Sequence, residues 1–206
     1  MGLISNGTTI FDAGSMAAGL GASMTFIKKL TASSSATLSF VDRASSVVLD
    51  NTYKEYLFTF NNIHPATDNQ QFAFQVDTGT NTSYNIACTS STFRAYHNEA
   101  GNDQGLIYSN SNDLHQQTDN QILQTDIGNG NDESLCGTLT LYDPSSTTFV
   151  KHFIGVTNYY QAFGQTGSFG VHYAGYCNVT AAIDGVRFKM SSGNIDAGTI
   201  KMYGIK

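Results

Sequence analysis

From Tyr53 onward the chain alternates apolar and polar side chains with a period of two. In Tyr53-Lys54-Glu55-Tyr56-Leu57-Phe58-Thr59-Phe60-Asn61-Asn62, Tyr56, Phe58 and Phe60 share one face, and Glu55, Thr59 and Asn61 share the other. That spacing is the signature of a half-buried strand. Phe72, Phe74 and Val76 repeat it, with Asp68-Asn69 in the turn region between. Val186, Phe188 and Met190 alternate with Arg187 and Lys189, and Ile200 and Met202 alternate with Lys201 and Tyr203. The stretch Leu139 to Val150 reads as a hairpin, in which Asp143 and Pro144 suit the first and second positions of a type I turn. There are about ten such runs, separated by turn clusters, and no helical period sustained over ten residues or so. Strands this short and numerous predict an all-β, antiparallel two-sheet sandwich, with a barrel as the other closure.

Several runs are apolar on both faces: Phe149 and Phe153 stand opposite Val150 and Ile154. A two-layer sandwich buries one face of each strand, so a second apolar face predicts burial against another subunit. His152, on the side of Val150 and Ile154, then reads as a satisfied core or interface histidine. The region from Asn98 to Ser134 is dominated by Gln, Asn, Asp and Gly, broken by Leu106-Ile107-Tyr108 and Ile122-Leu123. It is expected to form long loops between short strands at one end of the sandwich, where binding residues tend to lie. Residues 1–21 differ again: five glycines and small residues surround the isolated anchors Leu3, Ile4, Ile10 and Phe11. They read either as a frayed terminus or as an extended arm that docks on a partner or neighbouring subunit. One short helical turn is expected between Asp12 and Leu20, with Asp12 as its cap. The division is thus an arm over 1–21 and a single sandwich over 22–206.

Composition narrows the function more than it narrows the fold. At 206 residues, 40% hydrophobic and 12% aromatic, the chain can fill one core. Charged residues are only 13%, about half the usual share, so Ser, Thr, Asn and Gln must supply the polar surface. Ten basic against sixteen acidic residues leave no nucleic-acid footprint. No window offers the roughly 18 apolar residues of a membrane helix. The start, Met1-Gly2-Leu3-Ile4-Ser5-Asn6-Gly7, lacks a basic and apolar leader, so assembly in a cytoplasm is expected.

No motif carries catalysis. G-x-S-x-G, H-E-x-x-H and the phosphate-cradling G-x-x-x-x-G-K are missing, and Gly19-Leu20-Gly21 lacks the rest of a dinucleotide fingerprint. No cofactor and no metal is assigned. The histidines are scattered; His97 ends a strand-like run and His115 sits in the polar region. Asp126-Ile127-Gly128-Asn129-Gly130-Asn131-Asp132-Glu133 places oxygen ligands at alternate positions as a calcium loop does, but misses the helix–loop–helix spacing. A solvated Gly/Asn turn explains the same letters. Cys88, Cys136 and Cys177 each lie in a strand-like run and are expected as buried free thiols.

Two segments are familiar. Tyr53 to Asp68, an aromatic strand running into Asn62-Ile63-His64-Pro65-Ala66-Thr67-Asp68, resembles a segment of virion proteins of tailed bacteriophages, especially marine ones. The ending Ser191 to Gly204, containing Gly193-Asn194-Ile195-Asp196-Ala197-Gly198-Thr199 and Tyr203-Gly204, resembles the same group's C-terminal signature. The resemblance implies a jelly-roll-like, often trimeric module displayed on the particle, as a tail fibre, receptor-binding tip or capsid decoration. In this chain Pro65 would end a strand, Asp68 would bond its own turn, and Gly193 and Gly198 would make the turn before a closing strand. The leading expectation is a non-enzymatic virion structural protein, tail-associated and binding the host surface. Its expected partners are copies of itself, other virion proteins and a host-surface glycan. Tyr96, His97, Tyr108 and His115 are the candidate contact residues, and Leu3, Ile4, Ile10 and Phe11 the candidate docking residues. A capsid decoration protein and a polysaccharide-degrading tail protein are the alternatives.

Overall fold

A computed structural model describes residues 3–6, 8–12, 15–16, 23–79, 82–161 and 166–206. Among them every regular element is a strand. In chain order these are β1 (Leu3–Ser5), β2 (Thr8–Asp12), β3 (Ser15–Met16), β4 (Met24–Thr31), β5 (Leu38–Val41), β6 (Glu55–Pro65), β7 (Gln70–Thr78) and β8 (Cys88–Asn98). There follow β9 (Gln104–Tyr108), β10 (His115–Gln117), β11 (Gln121–Ile127), β12 (Leu135–Tyr142), β13 (Lys151–Gln161), β14 (Gly167–Cys177), β15 (Ile183–Met190) and β16 (Ile195–Ile205).

The apolar side of each alternating run is what the sandwich buries. Tyr56, Phe58 and Phe60, then Phe72, Phe74 and Val76, then Val186, Phe188 and Met190, and finally Ile200 and Met202 are all buried. They belong to two antiparallel sheets. The larger has the order β10-β8-β14-β13-β12-β6-β16-β4, with β9 also paired to β8; the smaller is β11-β7-β15-β5. β4–β5, β6–β7, β11–β12 and β15–β16 each place one strand in either sheet, and the C-terminal pair is inserted between β4–β5 and β6–β7. This wrapping from sheet to sheet is jelly-roll-like. β12, β13 and β14 instead continue as a plain meander, which makes the larger sheet so wide.

Phe188 sits where the layers meet. Its ring centroid lies 5.3 Å from Phe60 and 5.4 Å from Phe58 across the sandwich, and 5.9 Å from Phe72 within its own sheet. Such aromatic pairs add about 0.5–1.5 kcal/mol each beyond area burial. A second anchor is polar. Lys151, fully buried, donates from Nζ to the carbonyls of Phe149 at 2.7 Å and of Val179 and Thr180 at 3.3 Å. This satisfies all three ammonium protons, without which burying the charge would be prohibitive.

Several expectations are corrected. The turn is as read, with Ser146 N–H donating to the Asp143 carbonyl at 3.0 Å. However, Phe149 and Val150 remain in the loop, because the return strand starts only at Lys151. His152 and Ile154 point outward with Val156, so His152 is exposed rather than a core residue. The region 98–134 is not an end loop. It contains β9, β10 and the core strand β11, whose Leu123 and Ile127 are buried. Its 109–120 segment lies over the outer face of the smaller sheet, clasped by buried Gln75, whose Nε2 donates to the carbonyls of Ile86, Thr118 and Asp119 at 2.8–3.1 Å. Single-period reasoning missed this because the clasp is polar.

Pro65 does end its strand, but the Asp68 carboxylate accepts from Asn129 N–H at 3.3 Å rather than bonding its own turn. Gly193, at φ +69°, makes the turn; Gly198, at φ +112°, instead forms an irregularity inside β16. Cys136 is exposed, whereas Cys88 and Cys177 are buried. In the N-terminal region β1, β2 and β3 form a small antiparallel meander rather than a bare extended arm, and the described part of the expected helical turn is strand. Residues 17–20 of that turn lie outside the described residues.

Candidate functional surface

The contact residues named from sequence fall at one end of the larger sheet's strand order, Tyr96 and His97 on β8, Tyr108 on β9 and His115 on β10. β9 pairs with the second half of β8 and β10 with its start, so this edge is built from two short pieces. Tyr108 is opposite Phe93, and Gly105 opposite Tyr96. His115 is opposite Thr89. His97 lies eight residues further along β8 than Thr89, which is roughly 26 Å of strand. The four therefore share an edge without converging on one point.

Their environments differ. Tyr96 is half-buried on the inner side, its ring stacked on Phe169 at 5.5 Å and 7°, and its hydroxyl donates to Asp103 Oδ1 at 3.4 Å. Here one ring face is already used by the core. His97 points outward, and its Nδ1 donates to the Asn98 carbonyl at 2.8 Å, which fixes the ring. It borders an open hollow of about 350 Å³ with Asn98, Asn158, Tyr160 and Ser168. Tyr108 is exposed, and its hydroxyl donates to Asp113 Oδ2 at 2.6 Å. That hydrogen bond to a carboxylate raises the phenol pKa above its ordinary value. His115 is exposed on β10.

Around these residues the outer face of β9, β8, β14, β13 and β12 forms a continuous surface. Register and alternation place Tyr108, Phe93, His172, Val156 and Thr138 in one row across the five strands. Phe93 and His172 are stacked at 4.9 Å and 5°. The neighbouring row runs Ser91, Ala174, Ile154 and Thr140, and the next on the other side runs Leu106, Ala95, Gly170, Asn158 and Cys136. Leu106, Ile154, Phe93 and Val156 all remain exposed. None of these outward positions is Asp, Glu, Lys or Arg. Sequence reading found Ile154 on this face but missed Phe93 and His172, whose strand was legible only up to its direction. The alternation Ser91, Phe93, Ala95, His97 carried the signal.

The acidic loop 126–133 is organised around an anion. The Glu133 carboxylate is buried and accepts from Gly130 N–H at 2.6 Å, and a side chain at Gly128 would collide with it. The Gly130 N–H thus turns inward onto the carboxylate, the reverse of a calcium loop, where the oxygens turn inward onto the ion. Among the described residues no group of three or more His, Cys, Asp or Glu is arranged to hold a metal ion. Of the docking residues, Leu3 and Ile4 lie in β1, and Ile10 and Phe11 in β2, with Leu3 opposite Phe11. Ile4 is exposed.

Comparison with known proteins finds no matching family model, no matching curated protein and no matching solved structure.

Proposed function

We propose that the chain is a virion structural protein of a tailed bacteriophage, a β-sandwich knob assembled as a trimer at the tail and contributing to host-surface binding. The observation that carries this reading is the uncharged outer face of the four adjacent strands β8, β14, β13 and β12. β8, β14 and β13 are eleven residues long, about 36 Å, and β12 is eight residues, about 26 Å; at about 4.8 Å per strand the four present roughly 650 Å². A standard interface takes about 800 Å² from each partner. A face of that extent, with exposed Phe93, Ile154 and Val156 and no ionic side chain, suits burial against identical copies, since nothing on it repels itself. Tyr108 and His115, on the short strands β9 and β10 outside those four, and His97 at the end of β8 then stay accessible for a glycan, to which tyrosine rings and amide-rich rims offer apolar faces and hydrogen bonds.

The resemblance supports the particle assignment, and its two motifs meet in space. Ala66 N–H donates to the Asn194 carbonyl at 2.9 Å, and Ile195 is opposite Pro65. They form one structural corner of the sandwich. Two measurements test the reading. Light scattering of the purified chain at micromolar concentration is expected to give three times 22.2 kDa, and Val156→Glu is expected to reduce it to the monomer with the sheet spectrum unchanged. A monomeric natural chain removes the trimer. Antibody labelling of purified particles is expected at the tail; label spread over the head replaces this reading with the decoration protein.

A further inference from the structure

A pocket in the smaller sheet belongs to none of these surfaces. It opens where β5 and β7 end and β15 begins, a cavity of about 510 Å³ lined by Asp42, Arg43, Asp77, Tyr84, Asp184 and Gly185. Asp77 is 2% exposed, and its Oδ1 has no hydrogen-bond partner among the described residues. A buried carboxylate oxygen left without a donor costs several kcal/mol, so the position calls for a donor from outside. The neighbouring carboxylates deepen the deficit. Burial raises the Asp184 pKa, and the charges of Asp77 and Asp42 raise it further, so the three acids act on one another. Asp42 receives Leu49 N–H at 2.8 Å on one oxygen and faces Arg43 Nε at 3.5 Å on the other. That arginine side chain is 90% exposed and its charge is spent in solvent at the rim. Arg187, half-buried, stacks on the Tyr84 ring at 4.3 Å, and no ion pair joins it to the three acids among the described residues. The Tyr84 hydroxyl reaches over Gly185, where a Cβ would approach within 2.9 Å.

We infer that this pocket binds a small ligand through an ammonium group, as carried by an amino sugar or a short polyamine. An ammonium brings positive charge and three N–H donors, matching three carboxylates of which one is unpartnered. Phosphates and acidic sugars are repelled by the same charges, and a neutral polyol supplies donors while leaving the charge uncompensated. A bare metal ion fits poorly on two counts: the acids are not arranged to close on one, and about 510 Å³ is the size of a small-molecule site. The inference stands on this geometry alone and does not depend on the particle assignment.

Calorimetric titration of the full chain at neutral pH and low salt tests it, with glucosamine, spermidine, glucose and calcium chloride as separate probes. Glucosamine or spermidine is expected to bind, which of the two identifying the source of the amine, while glucose and calcium do not. Asp77→Asn is expected to weaken that binding at least about tenfold, and to leave the unfolding temperature of the free protein equal or higher, because a buried carboxylate with an oxygen lacking a donor has been removed. Asp184→Asn, at a half-buried position, is expected to weaken it likewise. The inference is overturned if neither amine binds, if glucose or calcium binds as well as the amines, or if Asp184→Asn keeps full amine affinity.

Discussion

Cys88 and Cys177 show how much a single residue's setting depends on its cross-strand neighbour. They are opposite one another on β8 and β14, with their sulfur atoms 3.1 Å apart. The thiol–thiol contact with Cys88, together with burial, holds the Cys177 thiol protonated and pushes its pKa well above the usual range. Cys136 lies instead on the outer face, its thiol donating to Asn62 Oδ1 at 3.4 Å. A thiol-specific chromogenic reagent is therefore expected to count one rapidly reacting cysteine in the native chain and three after denaturation; three at once in the native state contradicts this burial. The sequence places all three on strands and predicts all three buried, which holds for Cys88 and Cys177 and fails for Cys136. For Cys136 the face is decided by β12 pairing with β6, a long-range register that no local pattern encodes.

At the level of elements, β16 depends on one backbone position. Gly198 has φ +112°, and a Cβ there would stand 2.5 Å from the Asn62 carbonyl oxygen. Gly198→Ala is expected to lower stability by about 2–3 kcal/mol, read as a shifted denaturant midpoint at unchanged slope. Gly101, at φ +68° with open space around it, is the control; alanine there is expected to cost about 1 kcal/mol. The strands most legible beforehand were β6, β7, β15 and β16, where inward aromatic or aliphatic residues alternate with polar ones. β9, β10 and β11 were not, since β9 and β10 are short and the polar segments joining the three are held by Gln75 and Gln121 side chains bonded to the Thr118 and Asn112 carbonyls. The candidate surface was half legible for the same reason: its residues were readable one by one, but their rows exist only once five strands are in register.

For the whole molecule, burial of hydroxyl-bearing rings sets the alkaline limit. Tyr56, Tyr159 and Tyr173 all have their phenol pKa raised, chiefly by burial. Above the ordinary value of 10.0 the unfolded chain releases these protons while the folded chain keeps them. Their contribution is complete below about pH 10 and is lost as the pH climbs toward the raised folded values. Lys151, lowered by burial from 10.5, acts with the opposite sign as a single group just below that range. The unfolding temperature is expected to fall steeply above about pH 10, with tyrosinate absorbance rising in step with loss of the sheet spectrum. Smooth ionisation of all 11 tyrosines in an intact sheet contradicts it.

β4, the outermost strand beyond β16, carries Lys28 and Lys29 side by side, and its register slips between Met202 and Tyr203 of its neighbour. Adjacent ammonium groups and a local kink are the devices that keep a border strand from templating an endless ribbon. Exchanging both lysines for threonine would leave the sandwich folded but give it a growing end, visible as thioflavin-positive fibrils on concentration. The same two devices oppose edge-to-edge joining of crowded copies along β4.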